Sequence, residues 1–186
     1  MQEEIKKTVE TLLQGGIILY PTDTVWGIGC DATNAGAVAR IYEIKRRCDT
    51  KSMLVLLDSV EKLIYYTDCP DIARQLVEQS VDPLTIIYPD ARNLAKNLIA
   101  EDGSIGIRIP RETFSQTLCR QFGKPIVSTS ANFSGEPSPD NFYEINPDII
   151  SLMDYTVYYR RNESEKHKPS AIIAINKDET IRIIRK

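Results

Sequence analysis

The sequence predicts an α/β or α+β protein built on a sheet of mixed strand direction. Two observations carry that expectation. Short apolar runs alternate with helically spaced segments through the first two thirds of the chain, and the last third is mostly strand-like. A length of 186 residues adds the expectation of one compact domain spanning residues 1–186. A chain of that size buries roughly 70% of its unfolded surface without disulfides or metal. No internal repeat or low-complexity tract points elsewhere.

The chain opens on Ile5, Val9, Leu12 and Leu13 at helical spacing, with Gly15-Gly16 as the stop. Ile17-Ile18-Leu19-Tyr20, ended by Pro21, reads as a buried strand, and residues 25–30, with two glycines, as a second, irregular one. Asn34 is placed to cap a helix carrying Val38, Ile41, Tyr42 and Lys45. A basic turn over 45–51 leads into a strand-like run at 53–57. Asp58 with Glu61 reads as a capping box opening a short helix. Helical patterns follow at 72–79, 94–100 and 113–122. Strand patterns occupy 84–88, 105–109, 126–129, 156–159, 171–175 and 180–184. Two long polar loops remain, 132–141 and 160–170, of a length often tied to function.

Hydrophobic residues make up 42% of the chain and charged residues 26%, too apolar a balance for disorder. The net charge of −3 excludes an overall basic nucleic-acid coat but not a local basic patch. His167 is the only histidine, which excludes a paired-His metal site and disfavours a His-dependent triad; no metal ligands are assigned. Cys30, Cys48, Cys69 and Cys119 form no C-x-x-C pair, which argues against a zinc ribbon and fits reduced thiols in a cytoplasmic protein. The first residues lack a signal-peptide core, and no run approaches the ~20 apolar residues of a membrane span. A cytoplasmic protein without a membrane partner is expected.

Several segments carry polar chemistry. Thr22-Asp23-Thr24, between Pro21 and Trp26, sets two hydroxyls and a carboxylate at a sheet edge. They suit a small polar ligand, or simply close a turn on their own backbone. Residues 27–32 match the letters of a dinucleotide fingerprint, but the glycines lie inside an apolar run, so that reading is rejected. Lys45-Arg46-Arg47-Cys48-Asp49-Thr50-Lys51 places four cations within seven residues. That density suits a triphosphate, and equally a solvated helix end. Residues 128–135 are dense in hydroxyls and small side chains, fit for close phosphate approach or for a Ser-rich turn. Arg108, alternating with isoleucines, faces either a substrate carboxylate or solvent. His167 lies in a charged run and is given no catalytic role.

In this order the segments resemble the YrdC/Sua5 family, the threonylcarbamoyl-AMP synthases of tRNA modification. The family pattern P-T-[DE]-T-[VY]-[YW]-G-[LI] is met by Pro21-Thr22-Asp23-Thr24-Val25-Trp26-Gly27-Ile28. K-x-R…K is met by Lys45-Arg46-Arg47 with Lys51, and G-[IV]-R-x-P by Gly106-Ile107-Arg108-Ile109-Pro110. Ser130-Ala131-Asn132-Phe133-Ser134-Gly135 fits S-x-N-x-S-G, and Lys168-Pro169-Ser170-Ala171 answers to K-P-S-T. Departures are Arg46 and Cys48 where Gly or Gln and then Pro are usual, Ser52-Met53 after the lysine, and Ala171 for threonine.

The resemblance implies a twisted open mixed sheet flanked by helices, YrdC/RibB-like, with a basic concave cavity, in the short single-domain form. It implies a nucleotidyltransferase that makes threonylcarbamoyl-adenylate and pyrophosphate from L-threonine, bicarbonate and ATP, for N6-threonylcarbamoyladenosine at tRNA position 37. Under it, Lys45 and Arg47 are catalytic. Lys45, Arg47, Lys51, Ser130, Asn132 and Arg185 bind ATP, while Thr22, Thr24, Arg108 and Ser170 bind threonine. Mg²⁺ rides on the phosphates. The partners implied are a downstream tRNA threonylcarbamoyl transferase and tRNA or double-stranded RNA. The competing expectation is a YciO-like RNA-binding module of the same fold without the synthesis. A carbamoyl-adenylate-handling domain, as in hydrogenase maturation factors, is disfavoured because those sit in much larger chains.

Overall fold

The computed structural model describes residues 1–46, 53–164 and 168–186. Arg47 and Lys51, expected at the phosphate site, and His167 lie outside the described residues. Among the described residues, nine strands form one sheet: β1 (Ile18–Tyr20), β2 (Gly27–Gly29), β3 (Leu54–Leu56), β4 (Leu84–Tyr88), β5 (Ile105–Arg108), β6 (Ile126–Ser130), β7 (Tyr155–Thr156), β8 (Ala171–Ile175) and β9 (Ile181–Arg185). Their order is β7-β1-β2-β6-β3-β5-β4-β8-β9. The pairs β1–β7, β3–β5 and β4–β8 are parallel and the others antiparallel, so the sheet is mixed as expected.

Alternate strand residues point to opposite faces, and both faces are apolar here. On one, α1 (Gln2–Leu13) and α4 (Thr113–Phe122) bury Ile5, Leu12, Phe114 and Leu118 against Ile18, Tyr20, Leu56 and Ile126. On the other, α2 (Ala35–Ile44), α3 (Asp71–Gln79) and α5 (Pro147–Ser151) bring Val38, Ile41, Ala73 and Ile149 to Ile17, Leu19, Ile28, Val55, Ile86 and Ile107. Asn34 caps α2 as expected, its Oδ1 accepting from Ala37 N at 3.1 Å. α4 starts on the Glu112 carboxylate, which accepts from Phe114 and Ser115 N–H, and stops at Gly123 in the left-handed region (φ 75°).

The paired glycines of β2 have a packing cause. A Cβ on Gly29 would lie 2.6 Å from Val127 O and 2.8 Å from Tyr20 Cε1. Only glycine lets β1, β2 and β6 approach this closely.

Three local expectations are corrected. Asp58 and Glu61 form no capping box: Asp58 pairs with Lys62 at 2.7 Å, and residues Val60–Tyr65 form a 3-10 helix behind Ser59, which makes no side-chain cap. Residues 94–100 are turns, not a helix. Ala95 N donates to Ala32 O and Asn97 Nδ2 to Ala35 O, while Ala100 N closes a local turn on Ser104 O, so these bonds outcompete a segment too short to nucleate well. The strand expected at 156–159 is only Tyr155–Thr156, because the Arg161 guanidinium takes the Thr156 and Val157 carbonyls at 2.6 and 2.9 Å. α5 went unread, although Asn146 caps it through Asp148 N and Pro147 opens it. Among the described residues, no helix is long and apolar enough to cross a membrane.

Candidate functional site

The strand alternation that buries Ile126 and Leu56 beneath α1 and α4 also sets polar groups on the same face further along. On β6, Ser128 and Ser130 follow Ile126 at the two-residue period. On β5, Arg108 stands on the face opposite Ile105 and Ile107, and its partner across the β4–β5 ladder is Thr85. Arg185 on β9 pairs with Ile172 on β8. These groups surround a cavity of about 200 Å³ lined by Thr24, Arg108, Ser128, Ser130, Ser170 and Arg185, with Met53, Leu54 and Ile172 as an apolar wall.

Arg108 is the most committed group in it, at 3% exposure. Its Nη1 donates to Thr24 Oγ1 at 3.1 Å, and its Nη2 lies 3.3 Å from Asp23 Oδ1. That ion pair is close but misaligned, for both Asp23 Oδ1 and Arg108 Nε are buried without a hydrogen-bond partner. A buried guanidinium N–H left unpaired is costly. Thr22 closes the turn: its Oγ1 accepts from Thr24 N at 3.0 Å and donates to Val25 O at 2.7 Å. The turn reading thus describes Thr22, while Thr24 is the hydroxyl that reaches the cavity.

Ser170 Oγ lies 2.8 Å from Thr85 Oγ1, and the Ser170 carbonyl accepts from Arg185 Nε and Nη2 at 3.0 and 2.8 Å. Burial lowers the Arg185 pKa, and repulsion from Arg108 lowers it further. Two guanidiniums therefore charge one cavity positively, a setting for anions.

Lys45 caps the C-terminus of α2, where a cation is favoured by the helix dipole. Its buried ammonium donates to Ser130 O at 2.6 Å, Asn132 O at 2.8 Å and Asn132 Oδ1 at 3.4 Å. The Asn132 side chain turns into its own loop, its Nδ2 donating to Glu136 O at 2.6 Å and its Oδ1 accepting from Ser130 Oγ. Lys45 and Asn132 therefore stand behind Ser130 and hold it.

The structure brings Thr24, Arg108, Ser130, Ser170 and Arg185 to one cavity, with Thr22, Lys45 and Asn132 one contact behind it. Asp23 and Ser128 lay within segments read as candidate sites without an individual role, and Ser138, which lines the cavity, was given none. The alternation from Ile126 was the signal for Ser128; Ser138 lies in an aperiodic loop and carried none.

The Sua5/YciO/YrdC family model, described as "Telomere recombination", matches residues 10–186. A threonylcarbamoyl-AMP synthase of Xanthomonas euvesicatoria pv. vesicatoria is 34% identical over 158 residues, covering 83% of this chain and 84% of its own. One of the same name from Pseudoalteromonas translucida is 33% identical over 160 residues, covering 84% and 86%. Among solved structures, P. abyssi Sua5 complexed with L-threonine superposes with a TM-score of 0.83 at 23% identity, over 94% of this chain and 51% of that one. This chain thus spans about half the length of that Sua5. E. coli YciO superposes with a TM-score of 0.87 at 24% identity, over 100% of this chain and 90% of YciO. At such identities the structures speak for the fold alone, and the expected sheet architecture is borne out. With the family model met from residue 10 to the last residue, the chain belongs to the Sua5/YciO/YrdC family.

Proposed function

We propose that this chain is a threonylcarbamoyl-AMP synthase, a nucleotidyltransferase that joins L-threonine, bicarbonate and ATP. The observation that carries the reading is the single cavity where a buried arginine meets a second arginine and a row of hydroxyls. Relatives that match over most of this chain carry the synthase name, which favours this reading over a YciO-like RNA-binding module.

Arg108 receives the threonine carboxylate, with Thr24 and Ser170 beside it and Thr22 fixing Thr24. Arg185 and Ser130 face the nucleotide phosphates, while Lys45 and Asn132 hold the Ser130 loop; Arg47 and Lys51, outside the described residues, are given the phosphates by the family resemblance alone. In the reaction, the threonine amine attacks the bicarbonate carbon and water leaves, giving a carbamate. A carbamate oxygen then attacks the α-phosphorus, the bond to the β-phosphate oxygen breaks, and pyrophosphate departs with the electron pair. Such a transfer needs alignment and charge neutralisation more than a nucleophilic side chain. Guanidiniums and hydroxyls supply both. No group of three or more His, Cys, Asp or Glu that could hold a metal occurs among the described residues. Mg²⁺ would be carried on the triphosphate oxygens with its waters.

The adenylate is passed to a tRNA threonylcarbamoyl transferase for modification of tRNA position 37, in the cytoplasm. Incubation with ATP, threonine and labelled bicarbonate, with and without Mg²⁺, tests the reading. Threonine-dependent pyrophosphate release with a labelled adenylate is expected. Salt-sensitive RNA binding without turnover would replace this reading with the YciO-like one.

A further inference from the structure

In the Thr22-Asp23-Thr24 turn, Thr22 holds Thr24 and Thr24 reaches the cavity, while the Asp23 side chain does neither. Its side chain is 9% exposed and that of Arg108 3%, with the two 3.3 Å apart. Among the described residues it is the one carboxylate at ion-pair distance from Arg108. Taking both charges out of water is expensive, and removing either partner leaves the other buried and uncompensated.

The two residues face different spaces. Arg108 lines the cavity that also holds Ser130 and Arg185, and Asp23 does not. Asp23 lines a separate cavity of about 300 Å³ with Val77, Asp82, Leu84 and Arg111. Its carboxylate therefore meets the guanidinium from the side away from the substrate cavity. The guanidinium donates from Nη1 to Thr24 and is drawn at Nη2 by the Asp23 charge 3.3 Å away, an electrostatic contact without a hydrogen bond. A planar guanidinium held by one hydrogen bond and one adjacent charge keeps a set orientation at the cavity wall.

Resting on the synthase reading above, we infer that Asp23 is a positioning residue: it holds Arg108 in register for the amino-acid carboxylate and does not itself touch substrate. The turn then has one purpose, with Thr22 fixing Thr24 and the pair Asp23–Thr24 clamping Arg108.

Threonine and ATP KM values for Asp23→Asn, Arg108→Ala and the double variant test this. Asp23→Asn is expected to raise the threonine KM about ten-fold through loss of the charge that orients Arg108, with the ATP KM within about two-fold of the unmodified protein. In the Arg108→Ala background the same substitution is expected to add nothing, because its route to substrate is gone. A purely structural Asp23 would move both KM values together, and its effect would add to that of Arg108→Ala. Either of those results, or an unchanged threonine KM, overturns the inference while leaving the synthase reading intact. If Asp23→Asn does not fold, Asp23→Glu, which keeps the charge and displaces it, is expected to raise the threonine KM alone; no such split overturns the inference. Absence of threonine-dependent pyrophosphate release from the unmodified protein overturns both.

Discussion

Replacing Lys45 with Met separates two roles for the buried ammonium. Lys45 is 3% exposed, and its Nζ donates to Ser130 O at 2.6 Å and Asn132 O at 2.8 Å, with a longer reach of 3.4 Å to Asn132 Oδ1. A hydrogen bond to a charged group contributes ~1.5–3 kcal/mol, and the two short ones dominate. Met keeps the apolar stem, so little packing is lost. The two carbonyls, however, lose their donor inside the protein, while relief from burying a charge offsets part of the loss. The net destabilisation expected is about 3 kcal/mol. For a chain of 186 residues that lowers Tm by roughly 6–12 °C. Differential scanning calorimetry reads the melting shift, and pyrophosphate release at varied ATP reads the site. With the Ser130–Asn132 segment unheld, the ATP KM is expected to rise about ten-fold. A Lys45→Met protein that melts within about 1 °C of the unmodified one refutes the loop-anchoring account. Lost ATP use at unchanged stability would instead assign the ammonium to the nucleotide directly.

Three further outcomes are expected. Arg108→Ala should raise the threonine requirement about ten-fold or more and the ATP requirement less; the reverse order would remove Arg108 from the carboxylate. Gly29→Ala should cost about 2 kcal/mol by overpacking, since the new Cβ meets Val127 O at 2.6 Å; an unchanged urea midpoint would refute the close approach. Burial pushes the Asp154 carboxyl up, but the bonds from Arg40 and Ile17 N–H outweigh it and hold the pKa below 3.8. A folded pKa below the unfolded one means that stabilisation is present above the unfolded value and lost as pH falls through the folded value. Asp154→Asn should therefore be less stable at neutral pH, by a deficit that shrinks below about pH 4 in urea titrations. A deficit constant from pH 7 to pH 2 contradicts that.

What could be read along the chain follows the range of the forces involved. α4 at Thr113–Phe122, β4 at Leu84–Tyr88 and β8 at Ala171–Ile175 coincide with their expected bounds, because an apolar period of 3.6 or 2 reports burial locally. Asn34 signalled α2 for the same reason: its capping bond reaches only to Ala37. Residues 94–100 misled because the bonds that decide their shape come from Ala32, Ala35 and Ser104. The strand at 155–156 ends early for a like reason, on the guanidinium of Arg161. Of the site, the segment order along the chain pointed to Thr24, Arg108, Ser130, Ser170 and Arg185, all of which line one cavity. It did not separate them from Thr22, Lys45 and Asn132, since which hydroxyl or amine faces inward depends on partners elsewhere in the chain.

By itself, then, the sequence determined the alternating elements, the family and the set of segments that converge, because periodicity and motif order are properties of neighbours along the chain. Only the tertiary structure decided that Lys45 grips the Ser130 loop, that Asp23 backs Arg108, and that Arg185 stands close enough to Arg108 to repel it. Each of these is a contact between residues far apart in the chain, and its strength comes from exclusion of water by the packed sheet and helices around it, which no local pattern encodes.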